Sequence, residues 1–365
     1  MIIPEEIDTP EIVIDRDVLQ RNIERMATAV RGKGLQLRPH VKTHKVPEIA
    51  QLQLAAGAVG LTVATLAEAE VFAEYGAGDI FIAYPLWVGP RQAERLRRLA
   101  AKTRIAVGVD SREAAENLAA SLGDAAGEVE VLLELDSGHH RSGIAPDAAV
   151  DVARSATRAA LRVTGVFTFP GHSYAPGMAL KAADEERLAL GRAADLLTAA
   201  GFHITHLSGG STPTATLTST SGATEVRPGV YVLGDAQQLE LARCTAEDIA
   251  LTIAATVVSR HEGTELIPRR IILDSGSKIL GGDRPTWTTG FGRLLDHPEA
   301  RITALSEHHA TVVWPEGAPL PALGDRLRVV PNHVCVAMNL VDEVTVVSDG
   351  AIVGHWRVAA RGRNK

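Results

Sequence analysis

The chain has 365 residues, 45% of them hydrophobic and 22% charged, with a formal net charge of −7. That composition is ordinary for a soluble globular protein, and the length suits a large barrel plus a second domain better than one small core. The acidic balance argues against a general nucleic-acid binder, no apolar run approaches a membrane span, and residues 1–10 carry no signal-peptide core. Two cysteines, Cys244 and Cys335, imply no disulfide framework, so a reduced, cytoplasmic protein is the expectation.

Residues 11–14 read as a short apolar strand. Asp17 then reads as the N-cap of a helix carrying Val18, Ile23, Met26 and Val30, ended by Gly32 and Gly34. A rhythm follows. Strand-like runs at 36–42, 60–64, 80–83, 104–109, 129–135, 163–169, 204–207 and 225–226 are separated by helix-like stretches at 46–56, 66–75, 91–101, 112–122, 147–159 and 179–200, with a shorter one after Pro213. Alternation of this kind predicts a parallel sheet. Eight units predict an α/β fold of the closed (β/α)8 barrel type, with a doubly wound open sheet as the rival. From about Asp248 only strand-like runs remain, at 249–258, 270–273, 301–304, 311–314, 326–330, 344–347 and 352–358. The expected division is a barrel over 17–245 and a C-terminal all-β domain over 246–365, joined by residues 1–16.

The chemistry gathers where predicted strands end. In the first, Leu35, Leu37, Pro39 and Val41 share one face, and Gln36, Arg38, His40 and Lys42 the other. Lys42 falls at the strand's C-terminal end, where α/β folds place their active residues. Crowding by Arg38, His40, His44 and Lys45 would make it a better nucleophile or base than a solvated lysine. A solvated basic face that binds an anion is the alternative. The fifth strand runs into a glycine-rich turn, Asp136 to Gly143, that carries Arg141. The sixth ends near His172 and Tyr174, which could shuttle a proton or hold a substrate carboxylate, or equally be a buried histidine and a stacked tyrosine. The seventh ends in Ser208-Gly209-Gly210-Ser211-Thr212-Pro213. Its small residues let backbone N–H groups approach a phosphate, the hydroxyls add donors, and a following helix would add its dipole.

In the β half, His333 and Cys335 are two apart on an extended run and point the same way. Their softness suits zinc, and two protein ligands would leave positions open, as a catalytic metal requires. Residues 274–278 and 307–309 are polar islands that could line a site or a subunit contact, or be ordinary turns.

Arg38-Pro39-His40-Val41-Lys42-Thr43-His44-Lys45 resembles the pyridoxal-phosphate lysine motif of the D-serine dehydratase and D-threonine aldolase family, enzymes with the alanine-racemase-type barrel. The resemblance runs from about Thr9 to Trp356. It implies that Lys42, and not Lys45, carries the cofactor. Asp136-Ser137-Gly138-His139-His140-Arg141-Ser142-Gly143 resembles the family's Asp-Thr-Gly-x-x-Arg-x-Gly segment, which implies that Arg141 contacts the cofactor's phenolic oxygen. Arg227-Pro228-Gly229-Val230-Tyr231 resembles its Arg-Pro-Gly segment. That implies phosphate contacts from the Gly229 and Val230 backbone and the Tyr231 hydroxyl. In the racemases the matching arginine faces the pyridine nitrogen, a contact the dehydratase branch need not share.

His333 and Cys335 match the D-serine dehydratase metal pair, whereas the D-threonine aldolases compared carry aspartate at the Cys335 position. A racemase needs a second base, a tyrosine from the β domain. The four tyrosines, Tyr75, Tyr84, Tyr174 and Tyr231, all lie in the expected barrel half. A carrier protein of this fold would lack the β domain. The resemblance therefore implies a lyase dependent on pyridoxal 5′-phosphate and a divalent metal, zinc in particular. It would turn D-serine into pyruvate and ammonia, with Lys42 removing the α-proton. The alternative is an aldolase or dehydratase acting on D-threonine or D-3-hydroxyaspartate, with His172 as a base in the aldolase version. A homodimer with no nucleic-acid or membrane partner is also implied.

Overall fold

The computed structural model describes residues 3–365 and divides into two compact units. One gathers Glu24–Lys42, Ile49–Gly229 and Gly362–Lys365. The other gathers the chain up to Ile23, Thr43–Glu48 and Val230–Arg361. The first elements in chain order are β1 (Glu11–Asp15), α1 (Arg16–Gly32), β2 (Gln36–Leu37), α2 (Pro47–Ala55), β3 (Leu61–Val63), α3 (Leu66–Glu74), β4 (Asp79–Pro85), α4 (Pro90–Ala100), β5 (Arg104–Val109), α5 (Arg112–Leu122), β6 (Glu130–Leu135), α6 (Ala149–Arg158), β7 (Arg162–Thr168), α7 (Ala179–Ala199), β8 (His206–Gly209) and β9 (Glu225–Val226).

Strands β2 to β9 form one parallel sheet in the order β2-β9-β8-β7-β6-β5-β4-β3. Its two ends meet. The Val41 N–H donates to the Thr62 carbonyl and the Thr62 N–H to the Pro39 carbonyl, each at 2.9 Å, and His40 bridges to Thr62. The sheet is thus closed, the barrel that the alternation predicts, and the open-sheet rival is excluded. All six residues of β6 are buried, as a strand covered on both faces should be. The interior is filled by Phe81, Ala106, Leu132 and Phe167, with the two phenylalanine rings edge to face at 5.0 Å. Gly108 makes room for them, since a Cβ there would sit 2.7 Å from the Phe167 ring.

Three local expectations are corrected. The regular part of the first barrel strand stops at Leu37, not Lys42. Pro39 has no N–H, so the ladder loses a rung. Pairing resumes through the His40 N–H to the Pro228 carbonyl at 2.9 Å, and the chain then turns through Val41–His44, carrying Lys42. No helix follows Pro213. Residues 212–217 are turns, because the hydroxyls of this Ser/Thr-rich stretch compete for backbone groups; Thr214 Oγ1 takes the Ser211 N–H at 2.9 Å. The phosphate-site candidate therefore has no helix dipole behind it. Asp15, not Asp17, caps α1, its Oδ1 accepting the Asp17 and Val18 N–H groups at 3.0 Å.

Arg38 also departs from the expected crowd around Lys42. Its guanidinium is buried and spent on carboxylates, donating from Nε to Glu225 at 3.0 Å and from Nη1 to Asp79. Asp79 also pairs with Arg104, and Arg104 with Glu130 at 2.7 Å. Arg38→Met would leave the fully buried Glu225 without its cation. The expected cost is about 3–5 kcal/mol in urea unfolding, the range for breaking one side of a buried pair. A loss under about 1 kcal/mol would show that the carboxylates find other partners.

The other unit adds to β1 the elements α8 (Ala236–Glu240), β10 (Leu251–His261), β11 (Arg270–Leu273), α9 (Ser277–Leu280), β12 (Gly292–Leu294), β13 (Arg301–Leu305), β14 (Ala310–Val313), β15 (Arg326–Pro331), α10 (Val334–Met338), β16 (Glu343–Ser348) and β17 (Ala351–Arg357). It is mainly β, as expected, with short helices at its turns. β1 lies between β10, antiparallel, and β16, parallel, so the opening strand does join this sheet. β10 bulges between Val257 and Ser259 and passes from pairing with β1 and β15 to pairing with β11. The two polar islands bind each other. Lys278 Nζ pairs with Glu307 Oε2 at 2.6 Å, and Asp274 accepts the Thr256 N–H and the Thr9 hydroxyl. Among the described residues, no helix is long and apolar enough to cross a membrane.

Candidate active site

In the barrel unit the candidate residues all follow strand ends, the face on which barrels carry their chemistry. Lys42 sits on the turn beyond β2. Arg141 follows β6. His172 and Tyr174 lie on a 3-10 turn, Gly171–Tyr174, after β7. Gly209 to Thr212 follow β8, and Arg227 to Gly229 follow β9. Tyr231 falls in the other unit, in the buried 3-10 turn Val230–Val232, with His333 and Cys335.

Phe169 is the piece that patterning did not single out. Lys42 Nζ lies 5.8 Å and the Arg141 guanidinium 5.0 Å from its ring centroid. The His139 ring meets it edge-on at 5.5 Å, and Tyr174 tilts against it at 6.3 Å. An aromatic at the end of an apolar strand reads as core, so nothing local marked it. Lys42 is half-buried and the Arg141 side chain is half-exposed, 3.8 Å from the buried Glu134.

His40 is surrounded by the cations that Arg38 was expected to join. Burial, then the charges of Lys42, Arg227 and Arg141, hold its imidazole well below the usual range, while a hydrogen bond to the Thr62 backbone opposes them. His40 is therefore a neutral ring, with its Nδ1 shut away and unpartnered. Arg227 is fully enclosed. It donates to the Ser208 hydroxyl at 2.5 Å and the Thr168 carbonyl at 2.6 Å, and lies over Phe81 and Phe167. Burial pulls its pKa down, against the charges of Glu225, Glu186 and Glu134. His172 Nε2 meets Glu185 Oε2 at 2.9 Å, and its buried Nδ1 has no partner. With Nε2 engaged by Glu185, Nδ1 is the ring nitrogen left for a further contact.

The Gly209–Thr212 turn is tightly held. The Gly210 N–H donates to Glu186 at 2.8 Å, and the Ser211 hydroxyl lies 3.0 Å from those of Ser173 and Thr214. Gly210 has φ +76, the left-handed region that favours glycine.

His333 and Cys335 meet in a different way from the one their spacing suggests. β15 ends at Pro331, His333 is the extended N-cap of α10, and Cys335 is in the first helical turn. His333 Nδ1 meets Asp283 Oδ2 at 2.7 Å. Cys335 Sγ reaches the hydroxyl of Thr43, the residue after Lys42, at 3.4 Å. Against burial, Cys335 and Asp283 push the His333 imidazolium up to about 11. Asp283 lies fifty residues away in a glycine-flanked loop, so no sequence spacing ties it to His333.

These residues fit the groups the resemblance implies. A histidine held at Nδ1 by a carboxylate and hydrogen-bonded to a thiol is a donor set that suits a soft divalent metal. Among the described residues no group of three or more His, Cys, Asp or Glu side chains is arranged to hold a metal. The unpartnered buried Nδ1 atoms of His40 and His172, and the lysine and arginine over one aromatic ring, suit a flat, anionic, hydrogen-bonding cofactor.

The N-terminal domain of alanine racemase matches residues 14–237, and a putative serine dehydratase domain matches residues 250–347. The chain is 38% identical over 355 residues to the D-threo-3-hydroxyaspartate dehydratase of Delftia sp. strain HT23, covering 90% of this chain and 91% of that one. It is 33% identical over 368 residues to the D-threonine aldolase of an Arthrobacter species, covering 98% and 93%. The solved structure of the Delftia dehydratase superposes with a TM-score of 0.86 at 34% identity, covering 96% and 97%. Structures of D-threo-3-hydroxyaspartate dehydratase with a histidine or a cysteine replaced by alanine superpose equally well, the cysteine mutant in a metal-free form.

Proposed function

The chain belongs to the D-serine dehydratase and D-threonine aldolase family with the alanine-racemase-type barrel, and on that premise we propose that it is a pyridoxal-phosphate- and metal-dependent lyase that dehydrates a D-3-hydroxy amino acid. The observation that carries this is the His333–Cys335 pair, oriented by Asp283. In structures of D-threo-3-hydroxyaspartate dehydratase a histidine and a cysteine are likewise the residues replaced, and the cysteine mutant is the one in a metal-free form.

When bound, the cofactor supplies a sink for electrons at Cα and the metal a Lewis acid for the β-hydroxyl. Lys42 would hold the cofactor and would take the α-proton. Arg141 holds the phenolic oxygen negative. Phe169, packed by Lys42 and Arg141, would cover one side of the site. Gly209, Ser211, Thr212, Gly229 and Tyr231 would take the phosphate, while the Gly210 N–H stays on Glu186. Arg227 stays on Ser208 and Thr168. His333 and Cys335 hold the metal, zinc by its match to nitrogen and thiolate donors. The leaving oxygen would depart as water, and the enamine left behind, after tautomerising to its imine, would take up one water and release a keto acid and ammonia.

D-Serine is the proposed substrate, with D-threo-3-hydroxyaspartate and D-threonine as its rivals. His172 supports the aldolase alternative, since with Nε2 engaged by Glu185 its Nδ1 is left for a β-hydroxyl proton. Incubation with each D-amino acid separates these readings. Pyruvate from D-serine is expected; oxaloacetate from the aspartate, with D-serine untouched, would move the assignment to the second substrate. Acetaldehyde and glycine from D-threonine would establish the aldolase. No product from any of them would reject the lyase.

We also propose a homodimer. Light scattering should give twice the 38.7 kDa chain mass, and a fully active monomer would contradict it.

A further inference from the structure

Glu186 lies in the middle of α7 and is 1% exposed. Its carboxyl is directly beneath the Gly209–Gly210 turn. Oε2 accepts the Gly210 N–H at 2.8 Å, and Oε1 is 3.4 Å from the Thr218 hydroxyl. Gly209 is in such close contact that a Cβ there would sit 2.6 Å from the carboxyl carbon. Behind the turn, a cavity of about 230 Å³ is lined in part by Glu186, Thr218, Asp184 and Arg187. Asp184 and Arg187 pair with each other at 2.6 Å.

We propose that Glu186 is the positioning residue of this turn, holding it from beneath in the shape that presents Ser211 and Thr212 to a phosphate monoester, and that it takes up a proton when the phosphate binds. This rests on the reading of Gly209–Thr212 as the phosphate site.

The physical reason is charge. An ionised carboxylate under the turn repels a phosphate dianion above it, while a protonated one keeps the Gly210 hydrogen bond without the charge. Burial pushes Glu186 up to about 7, against the Gly210 N–H, the charge of Arg227 and the Thr218 hydroxyl. A dianion bound nearby disfavours the ionised form further, so binding draws a proton in. The sign follows. Phosphate affinity is highest below about pH 7, falls as the pH rises through that value, and levels off once Glu186 is ionised in both states. Ionisation of the phosphate itself, near pH 6, acts in the opposite sense.

The test uses apoenzyme and pyridoxamine 5′-phosphate, which has no carbonyl for Lys42 to attack, with pyridoxamine as the phosphate-free control. Wild-type affinity for the phosphate form should fall about fivefold between pH 7 and 9, where the phosphate is already ionised, towards the roughly tenfold limit of a coupling of one pKa unit. Glu186→Gln, which keeps an acceptor for the Gly210 N–H, should bind without that fall. In calorimetry at pH 7.5 in buffers of different ionisation enthalpy, the wild type should take up protons with the phosphate form beyond any uptake with pyridoxamine. That second readout stands even if the variant does not fold. An equal fall in the Gln variant, or no extra proton uptake by the wild type, would overturn the role of Glu186 while leaving the phosphate site intact. Equal affinity for the two ligands in the wild type would overturn the phosphate reading itself.

Discussion

Lys42→Ala is expected to abolish covalent attachment of pyridoxal phosphate and to lower lyase activity by at least about 10²–10⁴-fold, the usual contribution of a positioned acid–base group. Lys45→Ala is expected to keep the cofactor. The two lysines are three residues apart and in different circumstances. Lys42 lies on the turn beyond β2, with its Nζ over the Phe169 ring. Lys45 is buried, with φ +57, and its Nζ donates to Asn339 Oδ1 at 2.9 Å. Removing it costs a buried hydrogen bond, about 1–3 kcal/mol of stability, and leaves Lys42 in place. Borohydride reduction followed by peptide mapping reads the attachment point. A label on Lys45 would reverse the assignment.

The barrel was legible because buried parallel strands and amphipathic helices alternate plainly along the chain, and the positions after strand ends were legible because this topology places them on one face. What escaped was set by single atoms. Pro39 lacks the N–H that a regular strand to Lys42 needs. Thr214 diverts the backbone that a helix after Pro213 would use. The His333–Cys335 spacing fits a strand, but Pro331 ends β15 and His333 becomes a helix cap, so the two side chains meet across a helical turn. Asp283, Glu185 and Glu186 act through tertiary contacts that no local pattern encodes. Arg38 looked like part of the cationic cluster because the two acids that neutralise it, Asp79 and Glu225, are 41 and 187 residues away.

The second large effect concerns the metal pair. Hydroxide is a poor leaving group at neutral pH, and a Lewis acid on it contributes several kcal/mol of transition-state stabilisation, two or more orders of magnitude in rate. Cys335→Ala or exhaustive chelation should therefore remove ammonia release to at least that extent. Asp283→Ala, which frees the His333 ring from the carboxylate that orients it, should weaken metal binding about 10–100-fold and be rescued by added metal. Neither change touches Lys42, so the yellow colour of the bound cofactor and exchange of the substrate α-proton should survive both.

The decisive measurement follows both reactions at once, in deuterated buffer, on chelated enzyme whose metal content has been determined. α-Deuterium should still enter the D-3-hydroxy amino acid while ammonia release is lost and returns on adding zinc. Full ammonia release from enzyme shown to be free of metal would contradict the metal-dependent mechanism.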